Sequence, residues 1–152
     1  MDLSVNPTAP TLAVGADSGK SAALPPHSPS SVRTVLIVDD NQDNLQLASF
    51  VAEQQGYRVL LAASADETFS QIRHHIDLVL LDIVLPDMDG FSVLERLRSM
   101  YQFAINVPVV AVTALASAQE KRAISEAGFS GYLCKPYTID ALEQVLKQFC
   151  FA

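Results

Sequence analysis

Short apolar runs alternate with longer amphipathic segments along most of the chain. Three of the runs are continuous and rich in β-branched residues, at 34–38 (TVLIV), 77–81 (DLVLL) and 107–112 (VPVVAV). Such runs are typical of strands that are buried on both faces of a parallel sheet. Two weaker strand candidates lie at 57–62 (YRVLLA) and 131–134 (GYLC). The pattern therefore predicts five strands.

Helical segments separate these runs, and their ends can be recognised. The first segment, 41–55, has Leu47, Phe50 and Val51 at helical spacing and stops before Gly56. A glycine at that position is a suitable left-handed cap. We predict a helix here, with these three apolar residues on one face.

The later helical segments show similar signals. Ser64 and Ser117 are each followed three residues later by a glutamate, which fits the capping box, where both side chains satisfy free backbone groups. Gly90 precedes a further helix, and Thr138 is placed to cap the last one. The apolar faces predicted for these two helices comprise Val93, Leu94, Leu97, Leu142, Val145, Leu146 and Phe149.

Strand and helix thus alternate five times, which predicts an α/β domain with a doubly wound, five-stranded parallel sheet covered by helices on both faces. Right-handed crossovers then place the loops that follow the strands on one edge of the sheet. Ligands bind at that edge in folds of this kind.

The first 31 residues differ from the rest of the chain. They contain five of the eight prolines, many Ser, Thr and Ala residues, and no aromatic residue. Such a segment has too little apolar surface to bury to offset the entropy of ordering. We expect residues 1–31 to form a flexible, disordered Pro/Ser-rich leader, and residues 32–152 to form the folded domain.

Charge and cysteine content exclude several classes of protein. A formal charge of −7 gives no basic surface for nucleic acid. No stretch approaches the roughly 18 apolar residues of a membrane span, and the first residues lack a secretory signal. Cys134 and Cys150 lack the spacing of a zinc or redox pair, and Cys150 is expected to be an exposed thiol. We predict a soluble, cytoplasmic protein.

Polar residues end four of the predicted strands. Asp39 and Asp40 follow the first strand, Asp82 the third, Thr113 the fourth and Lys135 the fifth. The sheet would bring these side chains to one edge. Carboxylates in close proximity repel one another unless a cation compensates, and Mg²⁺ commonly takes carboxylates, waters and a phosphate as ligands. A lysine and a hydroxyl nearby suit a phosphoryl group.

Each of these residues, taken alone, has an ordinary explanation as a helix cap or turn residue. Asp40 and Asn41 are good N-cap types, and the segment 86–90 (PDMDG) has common turn chemistry. It does not explain why all five polar residues, which follow four different strands, would lie at the same edge of the sheet.

Four motifs, in order, resemble the receiver domain of two-component response regulators. They are 35–41 (VLIVDDN), 80–90 (LLDIVLPDMDG), 109–114 (VVAVTA) and 133–136 (LCKP). The resemblance covers about residues 32–149. It implies a flavodoxin-like (βα)5 sheet with strand order 2-1-3-4-5.

The resemblance also implies roles for the edge residues. Asp82 would accept a phosphoryl group from a phosphohistidine of a sensor histidine kinase or phosphotransfer protein. Asp40, Asp82 and the backbone carbonyl of Val84 would bind Mg²⁺, and Asp39 would act on the ion largely through water. Lys135 would pair with Asp82 and later with a phosphoryl oxygen. The peptide bond after Lys135 would be cis.

A switch is implied as well. Thr113 would hydrogen-bond the phosphoryl group, and Tyr132 would move inward into the space that Thr113 leaves. The output surface for a downstream protein would then consist of 117–128, 131–134 and 138–149, which are the fourth helix, the fifth strand and the fifth helix. The domain would be a monomer or a weak dimer.

Two positions are expected to set how long the phosphoryl group survives. Val84 and Leu115 lie two residues after Asp82 and Thr113, and both are apolar. Neither can orient an attacking water, so we predict a fairly long-lived phosphoryl group.

Three alternatives stay open beside a free-standing regulator without a DNA-binding output domain. The chain could be a receiver piece of a hybrid histidine kinase. It could be a Mg²⁺-dependent aspartyl-phosphate phosphatase rather than a signalling module without enzymatic turnover, although Val84 stands where such enzymes commonly have a second Asp. It could also be an interaction module that is not phosphorylated.

Overall fold

The computed structural model describes residues 32–100, 103, 106–114 and 117–150. The predicted leader at 1–31 and Leu115 lie outside the described residues. None of the described helices is long and apolar enough to cross a lipid bilayer. Strands and helices alternate in the order β1 (Thr34–Val38), α1 (Gln42–Gln54), β2 (Arg58–Ala62), α2 (Ala65–Gln71), β3 (Leu78–Asp82), α3 (Gly90–Ser99), β4 (Val109–Thr113), α4 (Ala118–Ala127), β5 (Gly131–Cys134) and α5 (Ile139–Cys150).

The five strands form one parallel sheet in the order β2-β1-β3-β4-β5. This confirms the predicted flavodoxin-like α/β fold. Asp82 pairs with Val112, and Thr113 pairs with Cys134. The carboxyl ends of β3, β4 and β5 are therefore level. This brings the residues at these ends close together.

Two strands end later than predicted, by one residue each. β3 includes Asp82, and β4 starts at Val109 and includes Thr113. Pro108 has no N–H to donate to a central ladder, but its carbonyl accepts a hydrogen bond from the Val79 N–H at 3.0 Å. Asp82 and Thr113 are thus the last residues of rigid strands and not the first residues of loops.

The core has two halves, one on each face of the sheet. α1 and α5 cover one face, and α2, α3 and α4 cover the other. Every residue of β1, β3 and β4 is buried. That is why these three strands appear in the sequence as continuous apolar runs and the edge strands β2 and β5 do not.

The apolar face predicted for α1 is wrong in part. Leu47 and Phe50 are 44% and 61% exposed, and of the three predicted residues only Val51 is buried. The buried face comprises Leu45, Ala48, Val51 and Ala52. The two alanines have small side chains, so this face can approach the sheet closely, and the larger Leu47 and Phe50 are left toward solvent.

The predicted helix caps are confirmed. The side chains of Ser64, Ser117 and Thr138 each accept a hydrogen bond from a backbone N–H three residues later. At Ser64 the capping box differs in one detail, because the Glu67 carboxylate accepts from the N–H of Ala63 at 2.7 Å, one residue before the cap. Gly56 has a φ of 93°, as expected for a left-handed cap after α1.

Cys150 is buried, which corrects the expectation of an exposed thiol. It lies in the last turn of α5, in the core half that α1 and α5 share. The guanidinium of Arg33 donates a hydrogen bond to its carbonyl at 2.6 Å and so fixes this helix end. Burial raises the pKa of the Cys150 thiol to about 11, so the thiol is protonated at neutral pH.

Gly90 begins α3 in contact with the end of β3, and we expect Gly90→Ala to destabilise the domain. A Cβ there would lie 2.8 Å from Ile83 Cα and 2.9 Å from the Asp82 carbonyl oxygen. Both are backbone atoms that cannot move aside without shifting the strand, so the expected loss is about 2 kcal/mol of unfolding free energy. Urea denaturation measures it. The exposed Glu95→Ala in the same helix should change the value by less than about 0.5 kcal/mol, and an equally small effect of Gly90→Ala would contradict the prediction.

Candidate metal and phosphoacceptor site

Three polar side chains are buried at the carboxyl edge of the sheet. Asp39, Asp82 and Thr113 are each 4% or 5% exposed, and they lie at the ends of the neighbouring strands β1, β3 and β4. Lys135 follows β5, where its N–H donates to the Thr113 carbonyl at 2.7 Å. The topology thus brings together the residues that the sequence indicated.

Lys135 joins two of the carboxylates. Its Nζ lies 2.7 Å from Asp82 Oδ2 and 2.8 Å from Asp39 Oδ2. The other carboxylate oxygen of Asp82, Oδ1, accepts from the Val84 N–H at 2.9 Å. The sequence indicated the contact with Asp82 but not the one with Asp39. The Lys135–Pro136 peptide bond is cis, as the resemblance implied.

The donor set fits a divalent cation. Asp39, Asp40 and Asp82 each offer a carboxylate oxygen, and these oxygens lie within 4.8 Å of one another. This is the one such group among the residues that the structure describes. Lys135 is the cation in hydrogen-bonding contact with it, so three negative charges face one positive charge. Hard oxygen ligands with excess negative charge suit Mg²⁺.

The electrostatics of Asp82 are dominated by burial. Burial raises the pKa of Asp82, and hydrogen bonds from Lys135 and from the Val84 N–H only partly offset it. Burial also acts to lower the pKa of Lys135, but its hydrogen bonds to Asp39 and Asp82 prevail, and the pKa of Lys135 is raised. The ionised carboxylate at Asp82 is therefore costly, and a further cation nearby would stabilise it.

Asp39 is held on both of its carboxylate oxygens. Oδ1 accepts from the Asn41 N–H at 2.9 Å, and Oδ2 accepts from the Asn44 side-chain amide at 3.2 Å as well as from Lys135. Asn41 is also the N-cap of α1, since its side chain accepts from the Asn44 N–H at 2.9 Å. The start of α1 and the orientation of Asp39 thus depend on the same short segment. Nothing in the sequence indicated the contact between Asn44 and Asp39.

The loop after Asp82 is tied to two helices. Asp89 caps α3 through the backbone and side chain of Ser92. Asp87 accepts from the N–H groups of Ala65 and Asp66, at 2.9 and 3.0 Å, and so caps α2 from a different part of the chain. The hydrogen bond from Ala65 is the main reason that the pKa of Asp87 is lowered. The part of the loop that follows Val84 is therefore held to both helices.

Tyr132 points outward. Its side chain lies in β5 and is 40% exposed, and the Lys121 ammonium of α4 lies 5.5 Å from the centre of its ring. An ammonium at that distance from an aromatic ring is attracted to the ring face. In this structure the Tyr132 side chain is therefore partly exposed and lies beside Lys121.

An open cavity of about 330 Å³ adjoins the site. Lys135, whose ammonium joins Asp39 and Asp82, is one of the residues in its wall. The other lining residues are Asn44, Leu47, Ala114, Pro136 and Tyr137. Ala114 contributes only a methyl group to this wall.

Comparisons with known proteins agree with this geometry. Residues 35–147 match the family described as the response regulator receiver domain. The polar-differentiation response regulator DivK of Brucella ovis is 32% identical over 118 residues, which are 77% of this chain and 95% of DivK. The sensor histidine kinase RcsC of Escherichia coli (strain K12) is 35% identical over 113 residues, which are 74% of this chain and only 12% of RcsC.

A solved structure with the same fold is the receiver domain of the sensor histidine kinase PA1611 from Pseudomonas aeruginosa PAO1, with a magnesium ion coordinated in its active site cleft. It is 28% identical to this chain, with a TM-score of 0.71, and the match covers 80% of this chain and 100% of that one.

Proposed function

Because the chain belongs to the response regulator receiver domain family, we propose that it accepts a phosphoryl group on Asp82 and signals through contacts with other proteins. The donor would be a phosphohistidine on a sensor histidine kinase or a phosphotransfer protein, the two kinds of partner with which receiver domains interact. The domain would act in the cytoplasm as a regulator that holds one phosphoryl group, and not as a turnover enzyme.

The position of Asp82 is the observation that supports this proposal best. The residue is 5% exposed, with one carboxylate oxygen held by a backbone N–H and the other by Lys135. During transfer an Asp82 oxygen would attack phosphorus, an O–P bond would form and the N–P bond would break, with its electron pair returning to the imidazole nitrogen. Catalysis of this kind is mostly positioning and charge neutralisation.

Mg²⁺ would bind in the acidic cluster. Receiver domains bind this ion at an acidic site, and here Asp39, Asp40, Asp82 and the carbonyl of Val84 would hold it. The ion would neutralise charge on the phosphoryl oxygens, while Lys135 and Thr113 would contact the same group from the protein side. Val84 is 75% exposed, but its apolar side chain cannot orient an attacking water. We therefore still predict that the phosphoryl group on Asp82 is fairly long-lived.

Mg²⁺ is expected to stabilise the folded domain. The ion would bind the native carboxylate cluster and not the unfolded chain, so at ten times the dissociation constant it adds about 1.4 kcal/mol to the unfolding free energy. Thermal melts in EDTA and in increasing MgCl₂ measure this, with NaCl at matched ionic strength as the control. A melting temperature that responds equally to both salts would contradict the metal site.

Phosphorylation would be transmitted through Thr113 and Tyr132. Thr113 would move toward the phosphoryl group, and Tyr132 would leave its outward position and turn inward. The output surface would consist of α4, β5 and α5, where it would bind a downstream protein. This surface includes the exposed Ile139 and Lys121, which would offer both apolar and charged contacts.

Beryllofluoride, which mimics a phosphoryl group on Asp, is expected to shift backbone amide resonances well beyond the site. The shifts should include β5, α4 and α5, because the inward movement of Tyr132 would repack the contact with Lys121. Two-dimensional NMR spectra with Mg²⁺, before and after beryllofluoride, measure this, and Asp82→Asn serves as the unresponsive control. Shifts confined to the loop after Asp82 would contradict the switch.

A second arrangement is supported by the likeness to a 12% segment of RcsC. There the receiver would be one part of a hybrid histidine kinase, and the phosphoryl donor would belong to the same protein or to its relay partner. The rates of phosphotransfer to this domain from purified candidate kinases of the host distinguish the two arrangements. Fastest transfer from a separate kinase favours the first, and fastest transfer from a hybrid kinase that contains this receiver, or from its relay partner, favours the second. The chemistry at Asp82 would be the same in both.

A further inference from the structure

The side chain of Asn44 makes one hydrogen bond whose partner belongs to the candidate metal site. Its amide Nδ2 donates to Asp39 Oδ2 at 3.2 Å. Asn44 lies in the first turn of α1, is only partly exposed, and also lines the cavity beside Lys135. The Asn44 side chain is therefore turned toward the site and not toward solvent.

The backbone of Asn44 is held in place by contacts other than the one with Asp39. The Asn44 N–H donates to the side chain of the N-cap Asn41, and the Asn41 N–H in turn donates to Asp39 Oδ1. Backbone and side-chain groups of the same turn thus contact both oxygens of one carboxylate. Asn44 can therefore hold Asp39 in one orientation at little further cost in side-chain entropy.

The Asn44 side chain is neutral, and this matters as much as its position. Asp39 Oδ2 accepts from two donors, the Lys135 ammonium at 2.8 Å and the neutral Asn44 amide. A divalent cation among Asp39, Asp40 and Asp82 repels the ammonium and competes with it for the carboxylates. The neutral amide adds no positive charge, so it can stay on Asp39 when the ammonium turns away.

We infer that Asn44 is a positioning residue of the metal site, which keeps the Asp39 carboxylate oriented for Mg²⁺ when the ion displaces the Lys135 ammonium from it. This inference rests on the proposed function, because it needs a metal ion at the three carboxylates. Asn44 does not touch the ion or the phosphoryl group and acts only through Asp39.

The test compares Mg²⁺ affinity among variants of α1. Asn44→Leu keeps the size of the side chain and removes the donor, and it should weaken Mg²⁺ binding roughly tenfold, as is common for residues that orient metal ligands. Gln46→Leu makes the same chemical change at an exposed position of the same helix and should stay within twofold of the wild type. Titration calorimetry in Mg²⁺ measures both.

A merely structural role would give a different result. In that case Asn44→Leu would lower the melting temperature in EDTA, while the Mg²⁺ dissociation constant of the folded protein would stay within twofold of the wild type, and that outcome overturns the inference. Asn44→Ala, with its higher helix propensity, is the second variant and should show the same weakening if Asn44→Leu folds poorly.

Failure of the proposed function would look different again. If the wild type itself binds no Mg²⁺ up to tens of millimolar, or if Asp82→Asn binds it as well as the wild type does, the metal site is wrong and the role of Asn44 falls with it. If the wild type binds Mg²⁺ and only Asn44→Leu and Asn44→Ala match it, the metal site stands and the inference alone is wrong.

Discussion

Asp82→Asn is expected to abolish covalent phosphorylation of the chain by a small donor such as acetyl phosphate. The amide has nearly the shape of the carboxylate but lacks the nucleophilic oxygen pair, so no acyl phosphate can form. The shape of the site would be kept, and the single amide oxygen can still accept from either the Val84 N–H or Lys135, which contact different oxygens of Asp82. Intact-protein mass spectrometry in Mg²⁺ buffer measures the single phosphoryl addition in the wild type and its absence in the variant.

The matched control is Asp66→Asn, the same chemical change at an exposed position in the first turn of α2. It should be labelled as the wild type is. Full labelling of Asp82→Asn at a rate equal to that of the control would refute the phosphoacceptor assignment. A wild type that is not labelled by acetyl phosphate or by any phospho-kinase would refute the proposed function as a whole.

Lys135→Met is expected to cost about 3 kcal/mol of unfolding free energy at pH 7 in metal-free buffer, as is usual when one partner of a buried ion pair is removed. The Lys135 side chain is 22% exposed and those of Asp39 and Asp82 are 5% and 7% exposed. Methionine keeps the apolar stem and removes the ammonium. Two buried carboxylates would then face each other without the cation that joins them.

The pH dependence of this loss follows from the pKa shifts. Because burial already raises the pKa of Asp82, this carboxyl group binds its proton more tightly in the folded protein than in the unfolded chain, and its contribution to stability falls as the pH rises above about 4. Without Lys135 the pKa of Asp82 rises further, so the fall is larger. The raised pKa of Lys135 means that its own contribution is complete at neutral pH and lost only above about pH 10.

The difference between wild type and Lys135→Met should therefore be small near pH 4 and grow toward neutral pH. Urea denaturation between pH 4 and pH 8 measures it, and Mg²⁺ should restore part of the loss. Lys147→Met, at an exposed position of α5, is the control and should show no such trend. A difference that does not vary with pH would mean that lost packing, and not charge, explains the effect.

The parts of the structure that the sequence predicted well are those decided by local chemistry. The strands β1 and β5 have the predicted bounds, because a continuous β-branched run or a short apolar run between turn residues leaves few alternatives. The caps at Ser64, Ser117 and Thr138 follow from side-chain groups three residues away from their partners. The convergence of Asp39, Asp82 and Lys135 follows from parallel topology alone.

The parts that the sequence missed depend on contacts between distant segments. For α1, helical spacing allows more than one apolar stripe, and only the packing of Ala48 and Ala52 against the sheet decides that Leu47 and Phe50 lie outside. The second contact of Lys135, with Asp39, depends on the length and direction of a flexible side chain. Asn44 resembles any polar residue of an exposed helix until the start of α1 is seen beside β1.

The Asp87 carboxylate, which caps α2 from the loop after β3, has a consequence for observing the site. The N–H groups of Ala65 and Asp66 owe their hydrogen-bonded partner to that loop and not to their own helix. Their rates of amide hydrogen exchange with deuterated water thus report whether the loop beside Asp82 is seated or displaced. These two amides on α2 are in this way natural probes of the phosphoacceptor loop, and no label has to be introduced near Asp82.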